Sequence, residues 1–515
     1  MTHSLRQLQT LLQGIDVRRI AGDVCVPVSG IAYDSRQVNP GDLFVAIPGL
    51  EADGHQFIEQ AAAQGAVAAV VSQPVEETRL KAIVEVDSTR RALAFLAANY
   101  FDHPSKDLSL IGITGTNGKT TLTYLLEQIF IAAGRVPGII GTVGARYPGF
   151  EFTMGHTTPE APDLQQLFCQ MVKAGVNISA MEVSSHALDL ERTRGCHFRL
   201  AVFINLSRDH LDYHGDLDKY AQAKSLLFSR ELNDSQAEKK VAVVNSDDPR
   251  CTQIIEGWHG QTLSFGFDST ADVHPRGELH NDLDGFRSNV VYPGGQLEVI
   301  GRMPGRHNLQ NALAAVAVSI ALEIDVKFAA AGIAACQVVP GRLQRVTKKR
   351  GPKVFVDYAH TDHALTNVLA ALRPLTRGRL LVVFGCGGDR DRGKRPLMGQ
   401  AVAKGADLAV VTSDNPRTEE PDAIIEQILP GLDQEGLAKI PAGKLTRQES
   451  KKYAVVSDRR EAINLAVGLA TEQDVVLIAG KGHENYQIIG TRRTHFDDCD
   501  VAERALLTWV AGGTQ

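Results

Sequence analysis

A glycine-rich loop with one lysine and two threonines is the part of this chain whose residue types predict chemistry most clearly. Residues 114–121 read Thr-Gly-Thr-Asn-Gly-Lys-Thr-Thr and lie between the apolar run Leu108 to Ile113 and a helical pattern. Glycines let backbone N–H groups close on phosphate oxygens, Lys119 can reach terminal phosphates, and the Thr120 hydroxyl can bind Mg²⁺. The pattern predicts a nucleotide triphosphate site, although Ile113 replaces the first glycine of the usual G-x-x-x-x-G-K-[ST] spacing. A glycine-rich surface turn is the alternative.

Three further polar side chains lie at or near buried-looking segments of the same region. Glu182 falls in the apolar run Ile178 to Val183, where a carboxylate near a phosphate loop is a natural Mg²⁺ ligand and an exposed glutamate is the alternative. His210 follows another apolar run and could bind a metal through neutral imidazole, with a structural role equally open. Lys224 lies among small and apolar residues. Burial would lower its pKa and make it nucleophilic enough to add CO₂, whereas composition alone favours a surface lysine.

A second group of polar residues follows strand candidates in the last third of the chain. The segment Asp414-Asn-Pro-Arg417 comes after a strand that ends at Val411, and Arg390 ends the loop 385–390 after another strand. Ligands of open α/β sheets bind at strand carboxyl ends, so these loops predict a binding site. The planar guanidinium of Arg417 suits a carboxylate, and Glu484 could accept from an ammonium group. An ordinary Asx-Pro turn is the alternative for the first segment.

Alternating apolar runs and helical patterns supply the strands that these loops need. The alternation extends from residue 108 to about 340 and restarts beyond Pro340-Gly341-Arg342, which predicts mostly parallel, helix-covered sheets. Residues 261–300 predict an antiparallel edge or insertion, and the first hundred residues predict a small α/β unit. We therefore expect an α/β fold of three domains. These are a small α/β domain at 1–105, a central P-loop-type ATPase sheet domain at 106–340 and a C-terminal doubly wound, Rossmann-like domain at 341–515.

Composition excludes several classes of protein. At 515 residues the chain is too long for one core, and its formal net charge of -6 offers no basic field for nucleic acid. The apolar runs are too short or too rich in alanine and glycine to span a membrane, and the N-terminus lacks a signal-peptide core. The 7 cysteines are scattered, which suits reduced thiols. We expect a cytoplasmic, monomeric enzyme that acts on small molecules, with no nucleic acid and no membrane as partner.

Five motifs in one order give the chain a resemblance to a known family. They are Gly115-Thr-Asn-Gly-Lys-Thr-Thr, Glu182-Val-Ser-Ser-His, Asn205-Leu-Ser-Arg-Asp-His, His307-Asn-Leu-Gln-Asn311 and Asp357-Tyr-Ala-His360. Over nearly the whole chain they resemble the Mur ligases, ATP-dependent enzymes that form amide bonds in peptidoglycan precursor synthesis and so serve cell wall biogenesis, cell shape and cell division. The resemblance implies that a D-glutamyl carboxylate takes the γ-phosphoryl group of ATP. An amine then attacks the acyl phosphate to give amide, ADP and phosphate.

The resemblance also implies which residues contact ATP and Mg²⁺. The ATP residues are Gly115, Thr116, Asn117, Gly118, Lys119, Thr120, Thr121, Asn308, Asn311, Arg342 and Asp357. One Mg²⁺ is expected on Thr120 and Glu182, and a second on His210 and a carbamylated Lys224, whose oxygens would resemble a carboxylate. Lys119, Glu182, His210 and Lys224 are the predicted catalytic residues.

A further set of residues matches positions that hold UDP-N-acetylmuramoyl-L-alanyl-D-glutamate, the UDP substrate. This set comprises Tyr33, Ser35, Leu50, Glu51, Ala52, His156, Thr157, Thr158, Ser184, Leu190 and Arg192. Leu190 stands where the family pattern has glutamine and His156 where it has asparagine.

By the same resemblance the acceptor is meso-diaminopimelate, with Asp-Asn-Pro-Arg as its recognition motif. The predicted acceptor residues are Arg390, Asp414, Asn415, Pro416, Arg417, Gly480 and Glu484. Diaminopimelate carries a second carboxylate that lysine lacks. Arg417 therefore favours diaminopimelate, because bound lysine would leave the Arg417 charge without a partner. The alternatives are a lysine-adding or folylpolyglutamate synthetase-like ligase and a non-ligase ATP-hydrolysing switch.

Overall fold

A computed structural model describes residues 5–49, 52–75, 78–346 and 351–509. The chain divides into two compact units, Met1–His274 with Ala314–Gly332 and Pro275–Leu313 with Ile333–Gln515. Leu50 and Glu51, two of the residues predicted to contact the UDP substrate, lie outside the described residues.

A five-stranded sheet organises the first hundred residues. Its strands, in spatial order, are Val17–Gly22, Ala82–Val86, Ala68–Val71, Asp42–Val45 and Gly30–Ala32. The first pair is antiparallel and the others are parallel. The helices Leu8–Leu11, Ile58–Ala63 and Thr89–Tyr100 accompany it, and the short strands Arg6–Gln7 and Pro27–Val28 pair separately. This arrangement agrees with the α/β unit predicted from the apolar runs.

An eight-stranded sheet carries the glycine-rich loop. Its spatial order is Phe150–Phe152, Gly144–Tyr147, Pro137–Gly141, Ile178–Glu182, Ser109–Thr114, Phe198–Phe203, Val241–Asn245 and Gln261–Phe265. The last six strands run parallel, and the two at the other edge are antiparallel. The strand Ser109–Thr114 is buried at five of its six residues, as expected for a parallel strand covered on both faces.

The helices of this region fall between its strands. They are Lys119–Ala132, Ala161–Lys173, Ser185–Asp189, Leu211–His214, Leu217–Leu226 and Cys251–Ile254, with a π-helical turn at Leu227–Leu232. Two more helices follow at Arg306–Ala321 and Val326–Ala335. The antiparallel insertion predicted over 261–300 begins later than expected, because Gln261–Phe265 still pairs in parallel with Val241–Asn245. The insertion is the three-stranded sheet His274–Asp282, Gly285–Tyr292 and Gly295–Gly301.

A seven-stranded sheet forms the centre of the second unit. Its order is Gln344–Val346, Lys353–Asp357, Val475–Ala479, Leu380–Phe384, Leu408–Val411, Lys452–Val455 and Ala438–Lys439, with only the first pair antiparallel among the described strands. One face packs against Asp362–Leu372, Lys394–Gly405 and Pro421–Gln434, and the other against Arg459–Leu469 and Asp498–Thr508. Helices on both faces of a parallel sheet make the doubly wound arrangement that the sequence predicted. A hairpin of Tyr486–Ile489 and Arg492–His495 lies beyond the strand Val475–Ala479 in sequence.

No helix within the described ranges combines the length and apolar character that crossing a membrane requires.

Candidate active site

The glycine-rich loop connects the buried strand Ser109–Thr114 to the helix Lys119–Ala132. Gly118 precedes the helix with a φ of +90°, a conformation that favours glycine. The side-chain oxygen of Asn205 accepts from the Asn117 N–H at 2.9 Å, and its backbone carbonyl accepts from the Thr116 N–H, also at 2.9 Å. The loop is therefore fixed by the end of the neighbouring strand rather than by its own residues alone.

Lys119 lies across this loop. Its Nζ donates to the carbonyl oxygens of Gly115 at 2.8 Å and of Thr116 at 3.0 Å. A cation beside a helix N-terminus whose first N–H groups have no helical partner is the arrangement that binds phosphate. The geometry thus fits the predicted nucleotide site and not an ordinary surface turn.

Glu182 ends the strand next to the loop strand and is 1 % exposed. Its carboxylate accepts from the Thr120 hydroxyl at 2.9 Å, from the Thr142 N–H at 3.0 Å and from the Thr142 hydroxyl at 3.0 Å. The alternative of a solvent-exposed glutamate is therefore wrong. A hydroxyl and a carboxylate beside a phosphate loop are the hard oxygen donors that Mg²⁺ prefers, so these residues fit that ion. Among the described residues, no group of three or more His, Cys, Asp or Glu side chains is placed so that it could hold a metal ion.

Lys224 lies in the helix Leu217–Leu226 and is 1 % exposed, so the alternative of a surface lysine is wrong. Its Nζ donates to the carbonyl oxygen of Gly115 at 3.0 Å and lies 4.5 Å from the centre of the Tyr220 ring. Burial, reinforced by the charge of Lys119, lowers the pKa of Lys224 well below its usual value. The structure thus favours the neutral amine that addition of CO₂ requires.

His210 lies within a cluster of aromatic rings. Its ring centre is 5.0 Å from that of His186 and 6.0 Å from that of Tyr220, the residue that also contacts Lys224. His214 is fixed in the same cluster by a 2.9 Å hydrogen bond between its Nε2 and the Ser185 hydroxyl. Burial lowers the pKa of His186 to about 4 and also lowers that of His210, so both imidazoles are neutral at pH 7. Neutral imidazole is the form that binds metals.

Four of the residues predicted to hold the UDP substrate join the Glu182 network. The Thr158 hydroxyl donates to the carbonyl oxygen of Glu182 at 2.8 Å and accepts from the Ser184 N–H at 3.1 Å. Arg192 donates to the Thr158 carbonyl at 3.1 Å, and the hydroxyls of Thr142 and Thr157 lie 3.1 Å apart.

The remaining residues predicted to contact the UDP substrate lie outside that network. Tyr33 donates to Asp163 at 2.6 Å, and Ser35 donates to Gln60 at 3.2 Å. His156 and Ala52 are exposed, and Leu190 caps the C-terminal end of the helix Ser185–Asp189.

The second unit contains the other residues predicted to contact ATP. Asn308 and Asn311 are each 3 % exposed, and the Asn311 amide lies 3.4 Å from the Asn308 side-chain oxygen. The Asp357 carboxylate accepts from the N–H groups of Leu343 at 2.7 Å and Ala359 at 2.9 Å. The Arg342 guanidinium lies 4.9 Å from the centre of the Tyr358 ring. Burial raises the pKa of Asp357, and the charge of Arg342 opposes that rise.

Most of the predicted acceptor residues converge at the carboxyl ends of neighbouring strands. Asn415 donates to Glu484 at 2.8 Å, and the fully buried Lys481 donates to both, at 3.2 Å to Asn415 and 3.4 Å to Glu484. Burial raises the pKa of Glu484, with the Lys481 ammonium acting in the opposite direction. Gly480 has a φ of +119°, and a Cβ there would also lie 2.4 Å from the Asp414 carboxylate, so that position favours glycine. Pro416 is buried in the same loop.

The two predicted acceptor arginines differ in their surroundings. Arg417 is half-buried, and its Nη1 donates to the carbonyl oxygen of Gly388 at 2.7 Å. Arg390 is exposed and donates to its own neighbour, the carbonyl oxygen of Asp389, at 3.0 Å. The loop that carries Arg390 therefore contacts Arg417, but the Arg390 side chain does not join the buried cluster.

The sequence prediction missed several polar residues of these sites, namely Thr142, His186, His214, Glu419 and Arg395. Thr142 directly follows the strand Pro137–Gly141, and the rule that ligands bind at strand carboxyl ends could have identified it. Arg395 and Glu419 lie in helical or turn-like surroundings without a comparable signal.

Comparison with known families and proteins agrees with this geometry. Residues 27–101 match the Mur ligase family catalytic domain, residues 113–319 the Mur ligase middle domain, and residues 341–482 the Mur ligase glutamate ligase domain. The chain is 43% identical over 495 residues to the UDP-N-acetylmuramoyl-L-alanyl-D-glutamate--2,6-diaminopimelate ligase of Geobacter metallireducens, covering 96% of each chain. It is 44% identical to the same-named enzyme of Gloeobacter violaceus, again over 96% of each.

A solved structure with that enzyme name shares the fold. It superposes with a TM-score of 0.69 at 32% sequence identity, covering 98% of this chain and 99% of the other. The chain therefore belongs to the Mur ligase family of ATP-dependent, amide-bond-forming ligases.

Proposed function

We propose that this chain joins meso-diaminopimelate to UDP-N-acetylmuramoyl-L-alanyl-D-glutamate with ATP as the energy source. The names of relatives at 43% and 44% identity support the two substrates. The observation that carries the acceptor is Arg417, which is half-buried and follows Asn415, the residue whose amide donates to Glu484, at the strand ends of the second unit. A planar cation and a carboxylate that are linked through Asn415 suit an acceptor end that carries both a carboxylate and an ammonium group.

The residues of the first unit suit phosphoryl transfer to a carboxylate. Such transfer depends mainly on positioning and on neutralising the charge that develops on the phosphoryl oxygens. Lys119 and the first N–H groups of its helix hold the phosphates, and Thr142 orients Glu182 through two hydrogen bonds. Thr120 and Glu182 would hold Mg²⁺, which when bound adds positive charge at the phosphates.

Lys224 serves as a carbamate in this proposal. The deprotonated, buried Nζ attacks the carbon of CO₂, so that an N–C bond forms, one C=O π bond opens to give an anionic oxygen, and one proton leaves to solvent. The carbamate oxygens, which are the hard donors that Mg²⁺ prefers, would hold a second Mg²⁺ together with a nitrogen of His210. The buried position beside the Tyr220 ring and the lowered pKa of Lys224 support this step.

In the second unit the acceptor is held by charge complementarity. The Arg417 guanidinium pairs with the distal carboxylate of diaminopimelate, and Glu484 accepts from its distal ammonium. Lysine has no distal carboxylate and would leave Arg417 without a partner, which disfavours a lysine-adding ligase. The UDP-linked substrate and the free state of the cysteines support a cytoplasmic location.

Phosphate release from ATP tests both the reaction and the acceptor. The enzyme is supplied with ATP, Mg²⁺ and UDP-N-acetylmuramoyl-L-alanyl-D-glutamate, and receives meso-diaminopimelate, LL-diaminopimelate or L-lysine in parallel. We expect release only with meso-diaminopimelate. Release with lysine alone would refute the role of Arg417, and release without either amino acid or UDP substrate would indicate an ATP-hydrolysing switch.

A further inference from the structure

Two loops of the second unit contain non-glycine residues in the left-handed backbone conformation. We call residues 386–390 and 414–419 the acceptor loops. Asp389 in the first loop and Arg417 in the second each have a φ of +52°. Side chains disfavour this conformation, so it persists only where surrounding contacts hold it. The acceptor loops therefore require restraint at the residue that we propose to read the acceptor.

Reciprocal hydrogen bonds from one acceptor loop to the other supply part of this restraint. The Glu419 carboxylate accepts from the Asp389 N–H at 2.7 Å. In return, the Asp389 carboxylate accepts from the N–H of Thr418 at 3.2 Å and from its hydroxyl at 2.7 Å. Each carboxylate thus bonds at or next to the left-handed residue of the opposite loop.

A buried arginine holds Glu419 in place. Arg395 is fully buried, and its two terminal nitrogens donate to the two Glu419 oxygens at 3.0 and 2.9 Å. It also donates to the Gly387 carbonyl at 3.3 Å, so one guanidinium bonds to both acceptor loops. Hydrogen bonds from Arg395 are the main reason that the pKa of Glu419 falls to about 2, which keeps this carboxylate ionised.

The loops are also in close backbone contact. The Gly388 N–H donates to the Asn415 carbonyl at 2.9 Å, and a Cβ on Gly388 would lie 1.8 Å from the Pro416 carbonyl oxygen. The Arg417 Nη1 completes the contact by donating to the Gly388 carbonyl at 2.7 Å. Within the described residues the Nε and Nη2 of Arg417 have no hydrogen-bond partner, which leaves these two donors to bind a carboxylate.

We propose that Glu419 and Arg395 form a positioning pair that presents Arg417 to the acceptor and thereby determines acceptor affinity and selectivity. This inference rests on the proposed function for the identity of the acceptor. Neither residue needs to touch the substrates. The pair acts by holding the backbone of both loops, so that the Arg417 guanidinium is ordered before the acceptor arrives.

The test compares Glu419→Gln with a matched control. The Arg395–Glu419 ion pair joins the start of the helix Lys394–Gly405 to the loop before the helix Pro421–Gln434. The control is the Lys404–Glu435 ion pair, which has a 3.2 Å contact and joins the opposite ends of the same two helices. We expect Glu419→Gln to raise the KM for meso-diaminopimelate at least tenfold. Its kcat and its KM values for ATP and the UDP substrate should stay within about threefold, and Glu435→Gln should change none of them. Arg395→Lys, which retains the charge but not the paired donors, should give a smaller rise in the same KM.

A second measurement does not depend on the identity of the acceptor. Amide hydrogen exchange without substrates should be faster in the acceptor loops of Glu419→Gln than in those of Glu435→Gln, by a larger factor than anywhere else in the second unit. If wild type rejects diaminopimelate but this difference appears, the proposed function fails while the positioning role stands. Unchanged exchange with an unchanged KM would overturn the inference. A general loss of kcat with faster exchange throughout the unit would also overturn it, because that result indicates a merely structural role.

Discussion

The ion pair between Arg459 and Asp498 allows a quantitative test of how the second unit is held together. Both side chains are fully buried, and the guanidinium donates to the two carboxylate oxygens at 2.8 and 2.7 Å. Arg459 also donates to the carbonyl of Ala479 at 3.0 Å, the residue before Gly480. Asp498 begins the helix Asp498–Thr508. The pair therefore connects this helix to a strand end that carries predicted acceptor residues.

Replacing Asp498 with asparagine should strongly destabilise this unit. Breaking a buried pair by neutralising one partner costs about 3–5 kcal/mol, because the remaining charge is left uncompensated. Asparagine keeps one acceptor oxygen for the guanidinium, so we expect the lower end, about 3 kcal/mol. Asp500→Asn is the matched control on the same helix. Its carboxylate is 56% exposed and pairs with His495 at 3.8 Å, so we expect a change of at most about 1 kcal/mol.

Tryptophan fluorescence can follow this unit separately. The chain has 2 tryptophans, Trp258 in the first unit and Trp509 in the second, where its Nε1 donates to Ala470 at 2.9 Å. In a Trp258→Phe background, urea unfolding monitored by Trp509 gives the free energy of unfolding of this region. A loss below about 1 kcal/mol for Asp498→Asn would refute the reasoning. The double variant Arg459→Met, Asp498→Leu should be destabilised less than Asp498→Asn, since it leaves no buried charge.

Four further predictions concern the sites themselves. Arg417→Lys should raise the KM for diaminopimelate by about 10- to 150-fold, from a lost charge-assisted contact of about 1.5–3 kcal/mol; steady-state kinetics with an unchanged KM would contradict this. Lys224→Ala should be nearly inactive and partly restored by short carboxylic acids, whereas near-normal activity would exclude the carbamate. Thr142→Val removes the hydroxyl that donates to Glu182 and should lower kcat/KM by about 10- to 150-fold. Thr142→Ser keeps that hydroxyl and should retain activity. The difference in Tm between wild type and Glu419→Gln should be largest above pH 4.5 and should vanish as the pH falls towards about 2. The reason is that the folded state lowers the pKa of the Glu419 carboxyl from 4.5 to about 2. A Tm difference that does not depend on pH would refute the charge argument.

The strands of the second unit could be predicted from the sequence because they are buried on both faces. Runs such as Leu380–Phe384 and Val475–Ala479 are continuously apolar, and the structure places strands at these bounds. The same physics located the loops, since parallel strands present their carboxyl ends at one edge of the sheet. The family resemblance then assigned expected roles to the residues in those loops.

Contacts between residues distant in sequence could not be predicted in this way. Thr142 and Glu182 are 40 residues apart, and Arg395 and Glu419 are 24 apart. No period or motif connects such pairs, because only the folded sheet brings their elements together. Lys224 presents the same difficulty, since its neighbours in sequence suit either a covered or an exposed helix face. Its burial results from packing of the helix Leu217–Leu226 against other elements.

The charged groups that the fold buries at these sites differ in how many hydrogen-bond partners they have, and this difference agrees with their proposed roles. Arg459 and Asp498 are fully buried and paired by two short hydrogen bonds, which suits a structural anchor. Glu182 accepts from two threonines, which fixes a carboxylate that would bind a cation. Lys224 has a single acceptor, the Gly115 carbonyl, among the described residues, and burial lowers its pKa. An amine in this state lowers the stability of the protein, and conversion to an anionic carbamate beside Mg²⁺ would remove that cost. The least satisfied of these groups is thus the one for which we propose covalent chemistry.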